Sequence, residues 1–585
     1  MIEGATLTLV ETLDDVLDMM AWLGERREFL AVDVETTGLN VGRDVIRLAQ
    51  LGDPTHGWAV PYRDWRGAMR EAIERYDRPI VTHNLLFDAK FLKADGIVIP
   101  QHLAHDTMIM GHLLNPMARM GLKALAAKHV DRRADVGSDA LKRTLAACSW
   151  DWSTVPVDHP SYWLYSAYDA VLTSALAEEL WPRISIELRR PYELEVACIH
   201  VLRDAEVTGM AIDLGYCDAA RAKLDAEIEV LRPQLPCNPN SEKQLVAYLQ
   251  SVGAPLNHVT ERGNISTDDE VLRELESLGF EVAATIRTFR GKSRLVSNYF
   301  ETFAALHVDG VLRPSTRPVG ARTGRMSVTE PALQTLPRGR VVRDAFVARP
   351  EHSLVLADFR GMEMRVMASD APEPEMIEAY RRGEDVHDFT AAQLFGPDFT
   401  RKQRQVCKNA GFAKIYGAGE RKFATTAGVS VADAHDFLAR YDLLFTGVGP
   451  WQKRLIEGVQ ATVGAYGRRV GYVGTYGGRR LPVEVDAAYK AANYRVQGTC
   501  AEVMKEKLVE LDSAGLGPAI RLAVHDEVIM EVPDEQVDDA IATVHDVMPD
   551  RTTFDVVLEV ETKVVRRWGE AYADEWEAYV EAGSG

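Results

Sequence analysis

The sequence predicts a multidomain chain of α/β and α+β parts, and three observations lead to that reading. At 585 residues the chain is too long for one hydrophobic core and has room for roughly four domains. An acid-bearing strand pattern stands near the start, in residues 29–35, with a partner strand pattern at 45–51, and acid-bearing patterns return in the last half, in residues 353–358 and 522–532. Between them, residues from about 190 to 310 read as mainly helical.

Composition narrows the class. With 46% hydrophobic residues the chain can bury several cores, yet no run of about 18 apolar residues offers a membrane span. The first twenty residues are acidic and lack a charged-then-apolar signal pattern. Six cysteines (148, 198, 217, 237, 407, 500) form no CxxC pair, which argues for reduced core thiols rather than a zinc site or disulfide framework. No solenoid repeat or low-complexity tract is present. The net charge of -20 hides two basic blocks. One holds Arg317, Arg322, Arg325, Arg338, Arg340 and Arg343; the other holds Arg401, Lys402, Arg404, Lys408, Lys414, Arg421 and Lys422. A phosphate-binding groove needs local positive potential, so the acidic total does not exclude a nucleic-acid partner.

In the first third, Phe29–Glu35 reads as a buried strand, with Asp33 and Glu35 leaving the same face. Two acids so placed are costly without a cation between them. Val45–Leu51 alternates as a hairpin partner would. Downstream, Asn84–Asp88 opens a helical segment, and Tyr165 and Asp169 share a helical face four residues apart. Four carboxylates at three sites, with a phenol beside the last, suit two metal ions about 3.5–4 Å apart clamping a phosphodiester displacement. In this order the fragments resemble the three motifs of DEDD-type 3'-5' proofreading exonucleases, in the subgroup with tyrosine in the third motif. The resemblance covers roughly the first 180 residues, including DTMIMGHLLNP from Asp106, and implies a ribonuclease H-like mixed sheet flanked by helices. It makes Asp33, Glu35, Asp88 and Asp169 metal ligands and Tyr165 the residue that orients the attacking water. With the pattern intact, an active nuclease is expected.

In the middle, Trp181-Pro182 and Arg189-Arg190-Pro191 punctuate a domain end, and a helix from about Tyr192 towards Gly209 takes a proline in its first turn. Ser241-x-x-Gln244 and Thr267-x-x-Glu270 read as capping boxes. Arg287, Arg290, Lys292 and Arg294 form a basic patch that fits a solvated helix end and a DNA contact equally well.

In the last half, Arg404, Lys408, Phe412 and Tyr416 recur every fourth residue and make one helical stripe, ended by Gly417 and Gly419. Two cations followed by two aromatics suit a nucleoside triphosphate, although a solvated basic face over a core aromatic pair fits the same spacing. The strand from Ser353 delivers Asp358 at its end, and residues 522–532 read as a hairpin around the acidic turn of His525, Asp526 and Glu527. Asp358 and Asp526 both sit at strand ends, where a sheet could bring them together opposite Arg404 and Lys408. Such a pair holding two metal ions suits nucleotidyl transfer.

DFRGMEMR (358–365), RQVCKNAGFAKIYG (404–417) and VHDE (524–527) are similar to motifs A, B and C of the family A, polymerase I-like DNA polymerases. Further similar stretches stand at 321–337, 383–396, 476–483 and 493–502, so the resemblance runs through nearly the whole chain. It implies an exonuclease domain over 1–185, a thumb over 186–310, a palm over 311–375 and 486–585, and fingers over 376–485. It makes Asp358 and Asp526 the catalytic metal ligands, Glu527 an accessory acid, and His387, Arg404 and Lys408 the holders of the incoming triphosphate. Phe412 and Tyr416 would pack on the nucleotide and the templating base, and Glu363 would stand near the sugar of the nucleotide. Arg325, Asn493 and Gln497 would touch the minor groove at the primer end, where every pair presents acceptors and geometry is testable without reading sequence. His525 would contact the primer strand.

The expected cofactor is Mg²⁺, two ions per active site, with Mn²⁺ as the alternative. Primer-template DNA and dNTPs are the expected partners, with a helicase and a single-strand-binding protein in a replisome. The expected enzyme is a monomer without a membrane, in the cytoplasm of a host if phage-encoded. Two positions depart from the family pattern: Arg360-Gly361 replaces a common Ser-Gln, and Tyr489 stands where an arginine often contacts the template. With about 30 residues before the first exonuclease strand, no 5' nuclease domain is expected, and the expected layout resembles that of compact bacteriophage replicative polymerases. A repair or gap-filling polymerase is the alternative, against which the intact Asp33, Glu35, Asp88 and Asp169 argue. A catalytically dead DNA-binding subunit is opposed by Asp358, Asp526 and Lys408.

Overall fold

The computed structural model describes residues 4–260, 263–337 and 339–573. The chain divides into two compact units. The first comprises residues 1–208, 316–327 and 355–563; the second comprises 209–315, 328–354 and 564–585.

The first unit begins with a six-stranded mixed sheet. Its strands are β1 (Thr6–Leu9), β2 (Leu30–Thr36), β3 (Ile46–Gly52), β4 (His56–Pro61), β5 (Ile80–Thr82) and β6 (Ala104–Asp106), in the order β1-β4-β3-β2-β5-β6. β2, β3 and β4 run antiparallel, β5 and β6 run parallel to β2, and β1 runs parallel to β4. The expected hairpin of β2 and β3 is present, with Asp33 opposite Gln50 and Glu35 opposite Leu48. The long helix Pro160–Leu180 lies across β1 to β5. Gly52 and Gly57 permit that approach: a Cβ would meet Ala170 Cβ at 2.8 Å from the first and Ala167 O at 2.4 Å from the second. The helix is buried on almost every side, as expected of one without a polar face.

A second sheet, of four strands, runs in the order Ile520–Val524, Glu527–Pro533, His352–Phe359, Val560–Val565. The first two form the hairpin read in the sequence, with His525 in the left-handed region at φ 55°. Phe359 N donates to Asp526 O at 3.1 Å, so the turn of the hairpin sits at the end of the Asp358 strand. Helices Met362–Asp370 and Ala491–Ser513 pack together beside it. One apolar core runs through the unit from Val10 and Leu30 to Val355, Val496 and Met530.

The helix Arg401–Tyr416 starts with a capping box, Thr400 with Gln403. It ends at Gly417, in the left-handed region at φ 61°. Gly419 does not end it; that residue begins the following helix, Glu420–Ala427.

The second unit holds six α-helices among its described residues, five from Leu214–Leu231 to Glu301–Leu306 and the short Arg340–Arg343, and Leu245, Leu249, Val271, Leu275 and Ile286 fill one of its cores. Several expectations need correction here and at the unit's edge. The helix expected from Tyr192 begins at Ile186, so Pro191 lies inside it and Arg189-Arg190-Pro191 is no boundary. A proline so near a helix start removes a single interior hydrogen bond. Ser241 caps its helix, but the Gln244 side chain accepts from Asn238 N instead of closing a box. Thr267 is not a cap; Asp268, a better acceptor one residue later, takes Val271 N. Three members of the 287–294 patch are tied internally: Arg287 to Asp269 at 2.9 Å, Lys292 to Glu227 at 2.6 Å, and Arg290 to Pro239 O at 2.7 Å. All six cysteines are free and four are buried, but Cys237 is half-buried and Cys148 is exposed, at the end of a helix. Arg338 lies outside the described residues. Among those described, no helix is long and apolar enough to cross a membrane.

Candidate active sites

β2 places Asp33 and Glu35 on one face, and the Pro160–Leu180 helix brings Asp169 to them. Carboxylate oxygens of the three lie within 4.8 Å of one another. Asp88, in the first turn of helix Leu85–Ala94, accepts from Val34 N at 3.1 Å and shares a hydrogen bond with Asp33. All four acids expected from the sequence therefore converge. Burial, then mutual repulsion, pushes Glu35 and Asp88 up; burial also raises Asp33, against the pull of Lys123. Tyr165 stands one turn before Asp169, its phenol raised by burial and then by Glu35 and Asp33. Trp152 flanks it, with ring centres 6.1 Å apart.

Two residues of this site were not singled out in the sequence. Asp106 accepts from Leu85 N at 2.8 Å and Met108 N at 2.7 Å, which pins the start of the Asp88 helix. Only the surrounding segment had drawn notice. Lys123 pairs with Asp169, and its Nζ lies 4.5 Å from the centre of the Tyr165 ring. It is one lysine in an alanine-rich helix, Leu122–His129, with no spacing to mark it. Asp88 Oδ2 is buried without a hydrogen bond, and Asp169 Oδ1 faces Lys123. An unpaired hard oxygen in a carboxylate cluster that is costly to ionise alone fits divalent cations.

The second cluster lies at the end of the four-stranded sheet. Burial, then the charges of Glu527 and Asp526, pushes Asp358 up to about 8. Asp526 is also raised by burial, opposed by Arg325. Glu527 is buried at the start of its strand, whereas His525 is exposed. Gly361, left-handed at φ 59°, turns the chain into the helix that carries Glu363. The Glu363 carboxylate accepts from Arg325 and from Tyr416 Oη, the latter at 3.0 Å. Tyr416 is further hydrogen-bonded to Gln497, and half-buried Asn493 lies one turn before Gln497. Arg325, Glu363, Tyr416, Gln497 and Asp526 thus come together from five segments.

On the Arg401–Tyr416 helix the stripe is real. Phe412 and Tyr416 stack at 6.0 Å, with 16° between their planes, and His387 lies 6.3 Å from Phe412. Burial pushes His387 down to about 4, and Lys408 and Arg404 add to that. Arg404 is paired with Asp385 at 3.1 Å and with Asp388. Half-buried Lys408 has no ion pair among the described residues. Other cations of the two basic blocks are also neutralised, by acids distant in sequence: Arg322 by Glu484 at 2.8 Å and Lys414 by Asp442 at 2.7 Å. Tyr489 is exposed, its carbonyl so close to Gly417 that a Cβ there would meet it at 2.7 Å.

Residues 216–570, more than half of the chain, match the family model described as DNA polymerase family A. The chain belongs to that family. Residues 7–185 match the model described as 3'-5' exonuclease, so this is a DNA-directed DNA polymerase with a 3'-5' exonuclease domain. Among its relatives, the DNA polymerase of Mycobacterium phage L5 is 29% identical, and the alignment covers 98% of each chain. That of Mycobacterium phage D29 is 27% identical over the same shares. DNA polymerase I of Pseudomonas aeruginosa is 29% identical over 96% of this chain and 66% of its own. The solved POL domain of Pol1 from M. smegmatis, in complex with DNA primer-template and dNTP, matches with a TM-score of 0.79 at 23% identity. That likeness covers 97% of this chain and 100% of the other, and concerns the fold. Family A polymerases and their exonucleases are metal-dependent, in keeping with the carboxylate cluster of Asp33, Glu35 and Asp169.

Proposed function

We propose that this polymerase copies a bacteriophage genome, extending a primer 3'-hydroxyl with dNTPs and trimming mispaired ends at the Asp33–Asp169 site. The observation that carries the reading is the meeting of the Asp358 strand with the Asp526 turn, beside the linked Arg325, Glu363 and Tyr416. Similarity to two phage polymerases over 98% of both chains favours the replicative role over gap filling.

Asp358 and Asp526 hold Mg²⁺ in the polymerase site, with Glu527 an accessory acid; Asp33, Glu35, Asp88 and Asp169 hold it in the exonuclease. When bound, the ions supply activation of the attacking oxygen and neutralise charge developing on phosphate. His387, Arg404 and Lys408 bind the triphosphate of the dNTP, and Lys408 Nζ gives a proton to the departing pyrophosphate. Phe412 and Tyr416 pack on the base. Glu363, held by Arg325 and Tyr416, closes the space beside the sugar where a 2'-hydroxyl would stand. Arg325, Asn493 and Gln497 meet the minor-groove edge of the primer-terminal pair, and His525 meets the primer strand. Tyr165 orients the water that attacks the terminal phosphodiester.

In this reading residues 1–185 are the exonuclease domain, 186–310 the thumb, 311–375 and 486–585 the palm, and 376–485 the fingers. The enzyme works as a monomer in the host cytoplasm, beside a helicase and a single-strand-binding protein. Incubating a 5'-labelled primer-template with Mg²⁺, with and without dNTPs, tests the reading: elongation is expected with dNTPs and shortening without. A primer unchanged in both arms would contradict it.

A further inference from the structure

Beneath the turn that carries Arg325 lies a group of charges that water does not reach. Glu195 comes from the Ile186–Thr208 helix, Glu502 and Lys505 from the Ala491–Ser513 helix, and Arg479 from the turn before the Arg480–Glu484 strand. The most exposed of the four side chains, Glu502, is only 4% accessible. Lys505 Nζ donates to Glu195 Oε1 at 2.5 Å, Arg479 pairs with the same oxygen, and Arg479 Nε lies 3.6 Å from Glu502 Oε1. Two acids and two bases balance. Burying such a quartet adds little stability over apolar residues of the same volume, whereas its fixed donor geometry can specify one arrangement of the chain.

What the quartet grips is the 321–325 turn. Lys505 Nζ also donates to Gly324 O at 2.7 Å. Gly324 is left-handed at φ 80°, and a Cβ there would meet Arg479 Cζ at 2.9 Å, so the guanidinium presses directly on this peptide. Ala321 N donates to Arg325 O at 3.1 Å and closes the turn. The opposite side of the turn rests on the Ala491–Ser513 helix: a Cβ on Gly498, next to Gln497, would lie 3.3 Å from Thr323 O. Arg325 therefore leaves a backbone held by Lys505 and Arg479, and both cations are held by Glu195. The Glu195 helix also packs on the Leu85–Ala94 helix, which carries Asp88, through the buried pair of Lys90 and Glu206 at 2.9 Å.

We propose that Glu195 is the positioning residue for Arg325. By holding Arg479 and Lys505 it fixes the turn, and with it the angle at which Arg325 meets the primer-terminal base pair. A residue without DNA contact thereby takes part in judging whether the primer end is paired. The inference rests on the reading of Arg325 as a minor-groove contact.

The test is the ratio of kcat/KM for extending a matched primer end to that for a mismatched end, measured on the full-length enzyme. Glu195→Gln is expected to lower the ratio by between about twofold and thirtyfold, the range of effects transmitted through packed networks. Arg325→Ala lowers it too, and the combined variant is expected to match Arg325→Ala alone, because positioning has no value once the positioned group is gone. An unchanged ratio in Arg325→Ala removes the reading of Arg325 itself. Effective single variants whose losses multiply in full overturn the positioning role alone. The double variant Glu195→Gln/Lys505→Met guards against misfolding, since it keeps one acid and one base. It gives up the Gly324 bond and is expected to lose discrimination as well; parental discrimination by the folded protein overturns the proposal.

Discussion

The two acidic sites of this polymerase solve the same electrostatic problem with different architecture. In the exonuclease, the acids come from a strand, a helix start and a helix interior, all packed on one sheet, and Lys123 stands among them. In the polymerase site, Asp358 and Asp526 stand 168 residues apart in sequence, at the ends of strands that are neighbours in the four-stranded sheet, and Phe359 N donates to Asp526 O. Its cation, Arg325, does not sit on the strand acids but on Glu363, which Tyr416 also holds. The first site is a half-buried cluster of carboxylates around a lysine. The second is a floor of acids with a separate, hydrogen-bonded wall, which in the proposed reading serves selection of both sugar and primer end.

The sharpest test of the difference is Lys408→Ala. In the proposed reading Lys408 serves only the polymerase site, so primer extension is expected to fall by about 10²–10³-fold, the scale of losing one charged donor at a reacting phosphate. Degradation of single-stranded DNA by the same variant should keep the parental rate. Parallel loss of both activities would mean that the sites are not independent.

Glu363→Ala probes the wall. Removing the carboxylate opens the space beside the sugar and frees Arg325 and Tyr416. The preference for a matched dNTP over the corresponding rNTP, as a ratio of kcat/KM, should fall by about 10- to 100-fold. An unchanged ratio would take Glu363 out of sugar selection.

How much of this was legible in the sequence follows from how each part is built. Asp33 and Glu35, two apart on a strand, and the 404–416 stripe are local patterns, and residue periodicity exposes them directly. The junction of Asp358 with Asp526 depends on strand order, which no local pattern carries; only the strand-end position of each acid hinted at it. Lys123 and the partners of Arg404 are tertiary facts, since any lysine or aspartate on a helix looks alike until the fold chooses its neighbour. The same holds for Glu195 and Lys505. Nothing in the spacing of their helices marks these charges, and burial alone reveals them. The start of the Ile186–Thr208 helix differs for another reason: Pro191 suits a first turn, and the helix begins six residues further back.

Smaller effects should separate the sites by stability. Lys123→Met leaves Asp33, Glu35 and Asp169 without their internal cation, so in a chelating buffer the first thermal unfolding transition is expected several degrees lower, and added Mg²⁺ should restore most of it. An unshifted transition would show that Lys123 does not compensate the cluster. In the polymerase site the sign can be worked out from Asp358. Burial, and then Glu527 and Asp526, push its carboxyl in the folded protein from the ordinary 3.8 up to about 8. The folded state therefore holds a proton that the unfolded chain releases, and this contribution to stability, complete below about pH 4, is lost as pH rises towards 8. Asp358→Asn cannot ionise, so in chelator its stability relative to the parent should climb across that window and then level off. A difference independent of pH would contradict the assignment of Asp358 as a carboxyl raised by burial and by its neighbours Glu527 and Asp526.

The claim of two separate acidic sites is tested most directly with one labelled, mismatched primer-template and two variants, each checked first for native circular dichroism. With Mg²⁺ and no dNTPs, the Asp33→Ala/Glu35→Ala protein should leave the mismatched end intact, and with dNTPs it should extend a matched primer at close to the parental rate. Asp358→Ala should trim the mismatch at the parental rate and add no nucleotide. Trimming at the parental rate by the folded Asp33→Ala/Glu35→Ala protein would contradict the account.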